Sequence, residues 1–165
     1  ADMKSPDRVA LSFGSRLTAL SETPKFIETA AGFIPKQHIA PEGQWHDDPA
    51  AIAALFLGTP YLWGGNSGTG IDCSGLVQAA CLACNIPCDG DSDQQARNLG
   101  TTLPEGTPPQ RNDLFFWKGH VALVYDGSTL IHANAHHMAT TFEPISEALT
   151  RIEKSDGPRT AHKRL

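Results

Sequence analysis

Apolar and polar residues follow different rhythms in different parts of this 165-residue chain. The first part carries short β-like runs, Val9-Ala-Leu-Ser-Phe13, Arg16-Leu-Thr-Ala-Leu20, Phe26-Ile-Glu-Thr-Ala30 and Gly32-Phe-Ile-Pro35, separated by Gly, Pro and polar turns. A small barrel is the parent structure that such spacing suggests. Residues Ile39 to Pro49 read as a linker, and Pro49 can open a helix over Ala50–Phe56. A second helix is signalled by Asp72 as N-cap, by the staple spacing of Ile71 and Leu76, and by the run Leu76-Val-Gln-Ala-Ala80. Asp89–Asp93 and the Pro-rich Thr102–Pro109 read as loops.

Strand rhythm returns after these loops. Asn112-Asp-Leu-Phe-Phe-Trp117 is followed by the alternating His120-Val-Ala-Leu-Val-Tyr125, a turn-forming Asp126-Gly127, and Thr129-Leu-Ile-His-Ala133, which together predict a β-hairpin. With a loop of Asp126, Gly127 and Ser128, Tyr125 faces Thr129 and Ala122 falls opposite His132. His120 then lies one step along the same face, and such diagonal neighbours are about 7–8 Å apart at the backbone. A two-residue loop shifts the parity and separates the two imidazoles, so the hairpin register is a prediction that a structure can refute.

These elements place chemistry-bearing residues together. Cys73 takes the first position of its helix, where unpaired N–H groups and the positive end of the dipole favour thiolate, the reactive form. A cysteine so placed, facing a strand histidine that a second histidine orients, makes a nucleophile, a base and an orienter. Cys73, His120 and His132 are the candidates for those catalytic roles.

Composition narrows the field without naming a reaction. The length suits one ordinary domain with an appendage, and a hydrophobic content of 40% can supply a core. A formal charge of −5 and a pI near 5.7 argue against nucleic acid, which needs clustered Lys and Arg, and against docking on anionic lipid. No apolar run approaches the ~20 residues of a membrane span.

The same residues carry a family resemblance. Tyr61-Leu-Trp-Gly-Gly65, Asp72-Cys-Ser-Gly75, Asp113-Leu-Phe-Phe116, Gly119-His-Val121 and Ile131-His-Ala133 resemble, in order, the motif series of the NlpC-type cell-wall cysteine peptidases, over roughly residues 49 to 150. The resemblance implies an α+β, papain-like fold in which the cysteine helix packs on an antiparallel sheet bearing the histidine. It implies Cys73 as nucleophile, His120 as base, His132 as orienting residue, and Tyr61, Asp72, Ser74 and Ser92 along the substrate site. The implied reaction is hydrolysis of peptidoglycan stem peptides between γ-linked D-glutamate and the following diamino acid, diaminopimelate or lysine, with no cofactor and no metal. In relatives restricted to peptides with a free N-terminal L-alanine, the Asp-Ser pair flanking the cysteine helps to bind the amine. Asn112 and Ala122 stand where the pattern usually has glycine; Asn tolerates positive φ and Ala is small, so neither disturbs the reading.

Residues 1–41 resemble the end of a bacterial SH3-like domain, with 42–48 as linker and 49–165 as the peptidase domain. About 40 residues are present where such a domain needs ~60, so its opening strands are expected upstream. In related enzymes the adjoining domain closes one end of the cleft.

The remaining reactive side chains have plainer readings. Cys81, Cys84 and Cys88 lie along or just beyond one apolar helix, a poor tetrahedron for zinc, and read as ordinary thiols. His132 and His136 would share a face only in a helix, whereas Thr129-Leu-Ile131 argues strand. His38, His46 and His162 sit in polar or terminal contexts and read as solvated, and Trp63, Trp117 and Tyr125 as core or cleft-wall residues. A segment Ala1–Asp7 without basic and apolar regions, together with a reduced thiol, points to the cytoplasm, with a periplasmic or secreted enzyme after signal removal as the alternative. The rival functions are an acyltransferase or amidase on the same Cys-His fold, a non-catalytic wall-binding module, and a zinc hydrolase built on the His132 cluster. The expected partner is a stem peptide or muropeptide.

Overall fold

The computed structural model describes residues 4–6 and 9–165, and the chain divides into two compact units, Ala1–Trp45 and His46–Leu165. In the first unit, β1 (Ser21–Glu22), β2 (Phe26–Thr29) and β3 (Gly32–Pro35) form an antiparallel sheet in that order, followed by a 3₁₀ turn at Lys36–His38. The β2–β3 turn is held by Thr29, whose Oγ1 donates to the Gly32 carbonyl at 2.9 Å and accepts from Ala31 N–H at 3.2 Å. The expected strands at 9–13 and 16–20 do not form, and Val9, Leu11, Phe13, Leu17 and Leu20 are exposed. Leu20 N–H donates to the Glu28 carbonyl at 2.8 Å beside the β1–β2 ladder, but β propensity alone does not extend that contact into a ladder along the two runs.

The second unit opens with α1 (Pro49–Ala54), which has Asp48 as its cap and Pro49 at its first position. A small hairpin, β4 (Asn66–Ser67) and β5 (Gly70–Ile71), feeds directly into α2 (Cys73–Ala83). Next come α3 (Ser92–Asn98), β6 (Thr101–Thr102), β7 (Asp113–Trp117), β8 (His120–Asp126), β9 (Thr129–Asn134), β10 (Ala139–Pro144), α4 (Ile145–Asp156) and β11 (Ala161–Arg164). The last six strands make one antiparallel sheet in the order β10-β9-β8-β7-β11-β6.

Both faces of this sheet are covered. Leu114, Phe116, Val121, Leu123, Ile131 and Ala133 pack with α1 and α2, whereas Phe115, Trp117, Ala122, Val124 and Leu130 pack with Ala148 and Ile152 of α4. That is why Asp-Leu-Phe-Phe-Trp reads as an unbroken apolar run: β7 is buried on two sides. The large side chains so buried contribute about 1.5–3 kcal/mol each. Asp113 begins this strand fully buried and fastens it to β11. Its carboxylate accepts from His162 Nε2 at 2.8 Å and from Arg164 Nε and Nη2 at 2.8 and 2.9 Å. His162 is therefore a buried partner, with its ring edge-on to Phe115, and not the solvated residue its terminal position suggests.

The β8–β9 hairpin reaches the expected parity by a different turn. Leu123 pairs with Ile131 and Val124 with Leu130, as a three-residue loop requires, but Asp126 pairs with Thr129 across the two-residue loop Gly127-Ser128. A bulge at Tyr125 absorbs the extra residue and restores the face. Ser128 N–H and Oγ both donate to Asp126 Oδ1, at 2.9 and 3.0 Å, which tightens the loop.

Two glycines set how closely the approach loop lies on α2. A Cβ on Gly75 would land on the Gly65 carbonyl oxygen, and one on Gly65 would sit 2.5 Å from the Gly70 oxygen. Gly75→Ala is expected to cost about 1–3 kcal/mol by overpacking, read as a lower urea midpoint at unchanged slope. Gly68→Ala, whose Cβ meets open space, is expected to stay within about 0.5 kcal/mol of the parent.

Candidate active site

The start of α2 is organised by one carboxylate. Asp72 Oδ1 accepts from Gly75 N–H at 2.7 Å and from Ser74 Oγ at 3.0 Å, while Oδ2 accepts from Gly64 N–H at 2.7 Å. Asp72 thus caps the helix with one oxygen and ties down the Trp63-Gly64-Gly65 loop with the other. Cys73 follows as the first helical residue, buried within the core that joins α2 to the sheet. Its thiol receives the N–H of Val121, the residue next to His120 on β8.

The histidines meet as their register requires. His120 Nε2 lies 2.9 Å from His132 Nδ1, and His132 Nε2 lies 2.8 Å from Glu143 Oε2 on the neighbouring β10. His120 is half-buried against Trp117, with ring centroids 5.7 Å apart, whereas His132 is fully buried. Glu143 is itself gripped by Arg151 of α4, whose Nε and Nη2 donate to its two oxygens at 2.8 and 2.6 Å. Burial pushes Glu143 upward, but the hydrogen bonds from Arg151 and His132 outweigh it and hold the carboxyl well below the usual range.

Electrostatics revise one expectation. The helix start favours a thiolate, yet burial, aided by the Asp72 charge, pushes the Cys73 thiol up to about 11 despite the Val121 hydrogen bond. Burial likewise carries His120 down to about 3, with the neighbouring His132 and the Arg151 guanidinium acting in the same direction. Desolvation outweighs the helix terminus, and the resting pair is a neutral thiol and a neutral imidazole.

The other candidate residues divide around this centre. Tyr61 is half-buried, pairs with Ile71, and has its phenol raised by burial and by the nearness of Cys73 and Asp72. Asp72 and Ser74 line a cavity of about 180 Å³ at the head of α2, with Gly64, Asn66, Gln78 and Asp91 among its other walls. Ser92 opens α3 beside this cavity, and it is the preceding Asp91 that lines it. His136 and His137 are exposed in the β9–β10 turn, and Cys81 lies in the core with its thiol against that of Cys88. Trp63 is 86% exposed, so of the three large aromatics singled out it alone belongs to no core.

Three contributing residues escaped sequence reasoning. Gln95 of α3 is wholly buried and donates to the carbonyls of Ser74 and Asp89 at 3.0 and 2.9 Å, bracing the cavity wall. Glu143 and Arg151 complete the histidine chain. A charge at an inward strand position, two residues beyond the one opposite His132, was the available signal for Glu143.

Comparisons with known proteins bear on the family and the fold. The NlpC/P60 family pattern matches residues 58–152. The chain belongs to the NlpC/P60 family. Dipeptidyl-peptidase 6 of Lysinibacillus sphaericus is 36% identical over 107 residues, which cover 59% of this chain and 36% of that protein. The γ-D-glutamyl-L-lysine dipeptidyl-peptidase of Bacillus subtilis is 36% identical over 94 residues, covering 53% and 31% respectively. The chain spans about a third of the length of these curated relatives. An NlpC/P60 family protein from Bacillus cereus superposes with a TM-score of 0.75 at 24% identity, over 93% of this chain and 55% of that one. The NlpC/p60 domain of the peptidoglycan hydrolase SagA gives a TM-score of 0.58 at 25% identity, over 71% of this chain and 96% of the other. The fold is therefore the α+β, papain-like one, with the cysteine helix on an antiparallel sheet.

A neutral resting thiol has a measurable signature. Peptide-resolved alkylation of Cys73 by iodoacetamide is expected to accelerate continuously between pH 7 and pH 10, approaching about tenfold per pH unit. A plateau already reached below pH 7 would instead reveal a preformed thiolate.

Proposed function

We propose that this chain is a cysteine endopeptidase that hydrolyses peptidoglycan stem peptides at the bond between γ-D-glutamate and the following diamino acid. The observation that carries the reading is the placement of Cys73 at the head of buried α2, its thiol on the backbone next to His120, in a chain of the NlpC/P60 family. The Bacillus subtilis relative, a γ-D-glutamyl-L-lysine dipeptidyl-peptidase, supports the bond type.

The chemistry follows from the neutral pair. Cys73 Sγ attacks the γ-glutamyl carbonyl carbon as its proton passes to His120, so an S–C bond forms while the carbonyl π electrons move onto oxygen. The backbone N–H of Cys73 at the helix start and the Tyr61 hydroxyl are the candidate donors to that oxyanion. Collapse breaks the C–N bond, and the departing amine takes the proton from His120. Water, deprotonated by His120, then adds to the thioester; the S–C bond breaks and the thiol is restored. The other end of the substrate is its N-terminal amine, for which a cavity walled by the carboxylates of Asp72 and Asp91 is chemically suited.

The test is mass spectrometry of products from L-Ala-γ-D-Glu-diaminopimelate and from its N-acetylated form. Cleavage of the free-amine peptide is expected, with the acetylated one cut at least about tenfold more slowly, since it forfeits a charge-assisted contact worth about 1.5–3 kcal/mol. Cys73→Ala should lower the rate by on the order of 10⁴-fold or more with the fold intact. Undiminished turnover by that variant, or a product carrying a transferred acyl group, would overturn the reading.

A further inference from the structure

The histidine pair is not the end of the polar chain. Glu143 stands behind His132, nine-tenths buried, and both its oxygens are held by Arg151 from α4, on the far side of β10 in sequence and against the opposite sheet face from α2. We propose that Glu143, clamped by Arg151, fixes the tautomers of both histidines and thereby presents His120 Nδ1 as a bare lone pair, making Glu143 a positioning residue for the site. This inference rests on the peptidase reading only for its rate effect.

The argument is a proton count along three residues. A carboxylate gripped by a guanidinium can only accept, so the 2.8 Å contact places a hydrogen on His132 Nε2. Burial holds His132 below its usual value even beside Glu143, so the ring is neutral and carries no second hydrogen. Its Nδ1 is therefore an acceptor. The 2.9 Å contact then requires that His120 Nε2 be the donor. A neutral His120 with its hydrogen on Nε2 has an unprotonated Nδ1, the nitrogen that makes no hydrogen bond among the described residues. That is the atom available to take the Cys73 proton. With Glu143 absent, nothing distinguishes the two His132 tautomers, and in half the arrangements His132 would donate to His120 Nε2 and push the hydrogen onto Nδ1, which disables the base.

Charge reinforces the geometry. Among the described residues four titratable groups face His132: His120 from β8, Glu143 from β10, Arg151 from α4 and His137 from the β9–β10 turn. Glu143 is the one anion among them. When His120 becomes an imidazolium during turnover, its Nε2–H pulls on His132, and Glu143 is the group through which that positive charge is offset.

The experiment uses ¹⁵N-histidine-labelled protein and long-range ¹H–¹⁵N spectra at pH 7, with ring signals assigned through His120→Asn and His132→Asn. Both rings of the wild type are expected in the Nε2–H form. Glu143→Gln, close in volume, should give His132 as a mixture of tautomers and lower kcat about 10–100-fold with KM within about twofold. The tautomers are read without substrate, so they judge this inference even for a protein that cuts no stem peptide. Such a failure would count against the peptidase reading alone. His132 found in the Nδ1–H form in the wild type would overturn the proposal whatever the variant's stability. So would Glu143→Gln that leaves tautomers and kcat unchanged.

Discussion

The site hangs on the Asp72 carboxylate. Its three hydrogen bonds join the first turn of α2, the Ser74 hydroxyl and the backbone of Gly64 into one rigid corner. Everything around that corner is arranged so that it can be this tight. Gly75 and Gly65 are bare where the loop and the helix touch, Ile71 leads into the cap fully buried, and Gln95 braces the Ser74 carbonyl from α3. A corner held by several short polar contacts keeps the Cys73 backbone N–H and its sulfur in fixed positions. The charge that does this also opposes the thiolate, because Asp72 and burial together outweigh the helix terminus.

The sheet supplies the complementary half. One face seats α2, and the other carries α4, so β7, β8 and β9 are desolvated on two sides, where a buried charge needs a partner. Asp113 finds His162 and Arg164, and His132 finds His120 and Glu143. The two networks have the same construction, a buried carboxylate shared between an imidazole and a guanidinium. One fastens β11 to β7, while the other reaches from Arg151 on α4 to His120 at the edge of the site.

Much of this was legible in the chain. The cap at Asp72, the helix beginning at Cys73, the strands of the hairpin and the shared face of His120 and His132 all follow from local rules, because caps, staples and alternation act over a few residues. Asn112 is an instructive case: the expectation that it tolerates positive φ is met at 71°, and its side chain also accepts from Ala50 N–H at 2.8 Å, a contact no local rule anticipates. The hairpin has the expected parity with a shorter turn, because a bulge at Tyr125 supplies the residue that a three-residue loop would contain. The runs at 9–13 and 16–20 have strand composition without a strand, because pairing requires an edge that composition does not encode.

What the sequence determined by itself is therefore the local chemistry: which residue caps, which begins a helix, which side chains share a strand face, and the order of motifs that marks the family. Tertiary structure alone decided which distant groups meet and in what protonation state. His162 becomes buried against Asp113 across a separation of 49 residues, and Glu143 and Arg151 close on His132 only once α4 folds back over the sheet. Cys73 turns from an expected thiolate into a thiol for the same reason. Desolvation depends on everything packed around a group, and that sum is set by the whole fold, not by its neighbours in the chain.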